Sequence, residues 1–333
     1  MDLGVIVARS RLRPGVVSIC IGVVCSTGLV AAPNAHAGCA SLFGISIGNS
    51  AQCAGNATSL AIAIGSGASA ITTAHFSAVI AVGKAAEATA YAGSFLTATA
   101  LGDGSSATAH DGSVDIAVAL GGSRAGAKSG NFNVAISVGN GAGAGAEQGD
   151  RNHAVAIGDN SFAVTVEGDG NSATVFGHDS YANTGLESNG NRVAVFGNSS
   201  LALAELGSNN RTITIGDANQ AYVGQGDGNL AVVTGSNNTV FAQAGNRNQA
   251  FVNGADNYGF SAQGNANVTK VRGTNSTAYA YQGDSNRAVV RGRNSTAMAG
   301  GPGSGYHITV IGDDASGNAP ERAAQSPPTE VGH

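Results

Sequence analysis

Any chemistry in this chain would have to come from a small set of side chains: four Cys, seven His, 21 acidic and 16 basic residues among 333. His75, His110, His153 and His178 lie far apart. None stands at ligand spacing from a Cys or an Asp, so neither a zinc cluster nor a nucleophile–base pair is written here. The many G-x-G elements recur as turns and lack the strand-to-helix setting of a phosphate loop. The turn acids Asp150, Asp169, Asp227 and Asp284 offer oxygen ligands, but the G-G-x-G-x-D spacing of calcium-binding solenoids is missing. The sequence predicts no catalytic residue, no metal and no cofactor, and it reads as a non-enzyme.

Two other sets of side chains do have a spacing that could act. Tyr222, Phe241, Phe260 and Tyr279 follow one another at intervals of 19, flanked by Leu203 and Met298 at the same interval. On stacked strands they would form one outward aromatic column, suited to sugar rings or a partner sheet. The same column would also stabilise its own stack through cross-strand ring pairs. Lys270, Arg272, Arg287, Arg291 and Arg293 make a basic group near the end of the pattern. It would attract anionic polymers or, more simply, keep strand edges from pairing with other chains.

Positioning these columns requires a repeat. Glycines that close a short apolar run fall at 48, 65, 83, 102, 121, 139, 158, 177, 197, 216, 235, 254, 273, 292 and 312, a spacing of 17 to 20. A second series runs half a period away through Gly93, Gly112, Gly130, Gly149 and Gly168, slips around Gly185 to Gly190, and resumes from Gly207 to Gly283. Each glycine opens a turn of the type G-x-x-N or G-x-x-S, as in Gly149 to Asn152 and Gly245 to Asn248. These are residues that accept positive φ or bond to nearby backbone. Between turns lie runs of five or six residues with strict alternation, such as Ser172-Ala-Thr-Val-Phe176, the length and period of a strand.

The fold class predicted is all-β: one β-solenoid of about 14 coils, each of about 19 residues arranged strand–turn–strand–turn. An alanine-rich helix competes over residues 57–100, but the glycines and β-branched residues there make helix costly. Counting from the turn Asn, positions +2 and +4 (Ala173/Val175, Val193/Val195, Ala231/Val233, Ala250/Val252, Ala288/Val290) are small and apolar. Positions +3 and +5 include Lys270, Arg272 and Arg291, which a dry core cannot hold. Positions +2 and +4 therefore point inward. The turn asparagines should stack as ladders with amides paired coil to coil. At about 4.8 Å per coil the rod would be on the order of 65–70 Å long. The outward face opposite the aromatic column is apolar at Val155/Ile157, Thr174/Phe176 and Ile213/Ile215 before turning basic.

The composition agrees. With 51 Gly, no Trp, 5% aromatic and 11% charged residues, the chain cannot fill a thick core and is too apolar for generic disorder. Residues 1–37 carry Arg9, Arg11 and Arg13, then an apolar run from Val16 to Ala32, then Ala35-His36-Ala37. This is the pattern of a secretory signal peptide, and no later segment reads as a membrane span. Loss of Asp2 and the three arginines would take the formal charge from −5 to −7, which suits no general nucleic-acid binder. Cys39 and Cys53 would then remain as a pair in an oxidising compartment, a disulfide stapling an N-terminal cap over residues 38–56. The alternative, Cys39 as a lipid-modified residue, meets His36 where an aliphatic side chain is wanted. The solenoid is expected over 57–312 and a disordered tail over 313–333, where Pro320, Pro327 and Pro328 fall.

Gln243-Ala-Gly245-Asn-Arg-Asn248-Gln-Ala250 carries the Q-x-G-x-x-N-x-A pattern and resembles the curlin repeats of bacterial curli fibres. Gln282 to Ala288 and Gln225 to Ala231 are similar, with the Gln one place closer to the Gly. The likeness covers residues 220–292 and fades before 150. The early coils, such as Leu60-Ala-Ile-Ala-Ile-Gly65, are similar to head repeats of trimeric autotransporter adhesins, whose coiled-coil stalk and membrane barrel have no counterpart here. Both resemblances imply a secreted or cell-surface β-structure used in adhesion or matrix, with the chain itself or surface glycans as partners. A flat ice-binding face would need columns of outward Thr, and Thr212-Ile213-Thr214 stands alone.

Overall fold

Alternation and glycine spacing translate directly into a β-solenoid in the computed structural model, which describes residues 38–49, 51–301 and 303–319. The expected signal peptide, and the tail beyond 319, lie outside the described residues. Four strands open the fold: β1 (Gly38–Leu42), β2 (Ile45–Asn49), β3 (Gln52–Ala54) and β4 (Leu60–Ile64). From β4 onward the chain alternates between two sheets. Sheet A, containing β1, β2 and β4, has 16 strands, and sheet B, which starts at β3, has 15. Every pairing is parallel except those of β1, which runs antiparallel to both β2 and β4. No helix forms over 57–100; strands at Leu60–Ile64, Ala78–Val82 and Thr97–Leu101 neighbour one another in sheet A.

The inward positions are those expected. Ala173, Val175, Val193, Val195, Ala231, Val233, Ala250, Val252, Ala288 and Val290 are all buried. Apart from its turn residue Asn238, the coil after Asn229 buries Ala231, Val233, Val240 and Ala242, and the largest fully buried side chain described is Leu96. Such a thin core gives each coil little apolar burial of its own, so its stability rests on its neighbours. Gly235 shows why the turns are glycine: its φ is +121°, and a Cβ there would lie 1.8 Å from the Gly254 carbonyl oxygen one coil on.

The asparagine ladders form, and amides pair coil to coil from Asn238 to Asn219 at 3.0 Å and from Asn275 to Asn294 at 2.8 Å, but the commoner bond is a different one. In most coils the main-chain N–H of the Asn or Ser before a strand donates to the side-chain oxygen one coil earlier, as from Asn210 to Asn191 and from Asn229 to Asn210, both 2.8 Å. Several side-chain amides then donate forward to a turn carbonyl, as from Asn210 to Gly226 at 2.8 Å. A corner that turns the chain leaves a main-chain N–H facing the core at each coil. A side-chain oxygen satisfies that buried donor where strand pairing cannot.

The N-terminal cap is stapled as expected. Cys39 and Cys53 form a disulfide with Cα atoms 5.8 Å apart, joining β1 of sheet A to β3 of sheet B. Its sulfur is thereby occupied, which overturns the lipid-modified alternative for Cys39. At the other end the repeat passes Gly312. A last strand, Ser316–Asn318, pairs with Thr296–Met298, so residues 313–318 belong to the solenoid and not to the tail. The boundary was hidden because Ala315 takes the place of the usual Asn or Ser; its N–H still receives support from Ser295 Oγ at 3.2 Å.

Candidate interaction surface

Sheet B brings the aromatic column together. Leu203, Tyr222, Phe241, Phe260, Tyr279 and Met298 are in-register neighbours on its outer face. The rings are half-buried rather than open. Successive centroids lie 6.1–6.2 Å apart, with planes tilted by 52–59°. Tyr258 was not anticipated. It inserts beside Phe241, Phe260 and Tyr279, with centroids 5.5–6.4 Å away. Its place one residue after the turn Asn257, two before the column position, is the signal that would have found it. Burial, with Glu205 nearby, raises the Tyr222 pKa; burial and then Tyr279 raise that of Tyr258. Tilted rings that cover one another's faces are held as cross-strand pairs.

The basic residues gather on the outer face of sheet A, on the side of the solenoid away from the aromatic column. Arg272 pairs in register with Arg291, and Arg287 lies beside Val268 and His307. Lys270 sits over the Phe251 ring, 5.4 Å from its centroid. Arg293 ends the strand Arg287–Arg293, where it is bonded to Asp313 at 2.9 Å. Four cations thus share the face and the fifth is partnered. Thr212 and Thr214 point inward and are fully buried, so no ice-type threonine face exists at that place.

The largest feature was only partly legible. On the outer face of sheet A, one column runs Ile64, Val82, Leu101, Leu120, Val138, Ile157, Phe176, Phe196 and Ile215, each in register with the next. A parallel column runs Ile62, Ile80, Thr99, Val118, Ile136 and Val155. From Ile45 to Phe176 these outward strand positions carry no Asp, Glu, Lys or Arg, and His153 is the first titratable side chain on them. Along the adjoining corner stand Phe43, Phe76, Phe95 and Phe132, between 52% and 64% exposed. All four have φ between +50° and +60°, a region costly for bulky residues. Phe76 and Phe95 stack with centroids 5.3 Å apart. The spacing of 19 from Phe76 to Phe95, and of 37 from there to Phe132, was the available signal.

In the same coils the outer face of sheet B is charged, with Glu87, His110, Arg124, Lys128 and Glu147 set among scattered apolar residues such as Ile71, Tyr91 and Phe162. The two faces therefore alternate along the rod: sheet A is apolar early and basic late, while sheet B is charged early and aromatic late. Among the described residues no group of three or more His, Cys, Asp or Glu could hold a metal ion. No helix among them is long and apolar enough to cross a membrane. No family model matches the chain, and no curated protein is significantly similar to it in sequence.

Proposed function

We propose that this chain is a secreted or cell-surface structural solenoid that acts through its outer faces, adhering and assembling with copies of itself. The observation that carries this reading is the uncharged outer face of sheet A together with its ridge of exposed phenylalanines. Contiguous apolar surface beyond a few hundred Å² is costly in water and marks a contact surface. The corner these rings occupy has positive φ in coil after coil and holds Arg151, Gly170 or Asn209 further on, so the turn itself does not call for bulky apolar side chains there. Sedimentation velocity across a concentration range, with light scattering and thioflavin fluorescence followed over days, tests it. Concentration-dependent association is expected; a chain that stays monomeric at about 100 μM overturns it.

A second reading has its own observation: Tyr222 and Tyr279 keep part of each ring accessible on sheet B, and stacked aromatics suit glycans. Under it, Tyr222→Ala and Phe241→Ala abolish retention on immobilised polysaccharide and leave self-association intact.

A further inference from the structure

We infer that the N-terminal half of sheet A is a pairing face that joins two copies of this chain into an antiparallel, face-to-face dimer, an inference that rests on the self-assembly reading above. The face spans nine sheet-A strands, from β2 to Ser172–Phe176. At about 4.8 Å per strand, and some six residues wide at about 3.3 Å each, it measures on the order of 40 Å by 20 Å. That is roughly 800 Å², close to what each partner buries in a stable protein–protein interface.

A second copy is the occupant that the geometry favours. Side chains on this face repeat with the strand spacing, and another copy presents the same repeat, so ridges of Ile, Val and Leu can mesh along the full length. The same coils carry Glu87, Arg124, Lys128 and Glu147 on sheet B among its scattered apolar residues, so a further layer finds no uncharged face there like that of sheet A and assembly through this face stops at two. Orientation follows from the far end. Parallel copies would set Lys270, Arg272, Arg287 and Arg291 against the same residues of the partner, whereas antiparallel copies carry the two basic ends apart. Lys84 and Asp103, in the turns that follow the sheet-A strands, supply a charged rim.

The test uses the full chain. Val118→Lys with Ile136→Lys places charge on outward positions near the middle of the face without touching the core. The pair should weaken the dimer at least tenfold by sedimentation, while the circular dichroism stays that of the wild type. Phe95→Ser should weaken it through the ridge alone, and Phe241→Ala on sheet B should leave it unchanged. For orientation, Thr99→Cys lies near the centre of the face and should cross-link to its own copy under oxidation, while Thr309→Cys should not. Cross-linking through Thr309→Cys overturns the antiparallel arrangement. Association unaffected by the lysines overturns this face while leaving the self-assembly reading in place. A wild-type monomer overturns both, and so does a monomer that partitions onto lipid vesicles through the same phenylalanines.

Discussion

The main-chain N–H of Asn133 donates to Asp115 Oδ1 across 2.7 Å, and the ladder so begun continues with asparagine from coil to coil as far as Asn286. Asp115 is fully buried and its other oxygen has no partner. A Cβ on the bare Gly112 would lie 2.1 Å from that oxygen and 1.7 Å from the Gly130 carbonyl oxygen, so two acceptors face one small space. A neutral carboxyl puts a proton there; a carboxylate cannot.

Burial, the largest influence, lifts the Asp115 pKa from 3.8 to about 6; the bond from Asn133 opposes this, the Asp150 charge adds to it and His110 lowers it. The folded chain thus keeps a proton that the unfolded chain releases near pH 4. Stability should fall as pH rises from about 4 to about 6 and level off above. Asp115→Asn should remove that fall and raise stability at pH 7 by on the order of 2–3 kcal/mol. Urea unfolding at pH 4 and pH 7 measures it, and parallel losses in the variant and the wild type would contradict it.

Removing one rung should be felt by its neighbours. Asn210→Ala deprives the Asn229 N–H of its acceptor and the Gly226 carbonyl of a donor, both at 2.8 Å. Leaving these groups unsatisfied should cost about 2–4 kcal/mol. In a chain of nearest-neighbour contacts the damage stays local. Hydrogen exchange should quicken most around residues 191–229 and little near Ala98.

Two glycines separate conformation from space. Gly104 has φ +69°, and a Cβ added there would meet nothing within 4 Å, so Gly104→Ala should cost about 1 kcal/mol of backbone strain alone. Gly235→Ala adds a clash with the Gly254 carbonyl and should cost at least about 3 kcal/mol, or split the solenoid at that coil. Equal midpoints for the two variants in denaturant would show that the stacking contact is relieved at little cost.

The staple should matter at one end only. Cys39→Ser with Cys53→Ser opens a link between residues 14 apart and should cost about 3 kcal/mol by chain entropy. Protection of amides in β1 to β4 should drop, while that of strands beyond Arg211 is kept.

The period, the strand length and the inside–outside pattern were all readable because they are local. A glycine about every 19 residues, with Ala or Val at +2 and +4, marks coil and core without knowing what lies above or below. The aromatic column and the basic group were readable for the same reason, since identical offsets in successive coils stack. Three things depended on neighbours about 19 residues away and so awaited the tertiary structure. The ladder bond runs from main chain to side chain because the corner aims a backbone N–H at the previous coil's oxygen. Tyr258 joins the column because its ring reaches Phe241 one coil before it and Tyr279 one coil after. The full extent of the apolar face emerged when Ile62, Ile80, Val118 and Ile136, unremarkable singly, were set in one column at strand spacing, where the hydrophobic effect acts on contiguous area and not on single residues.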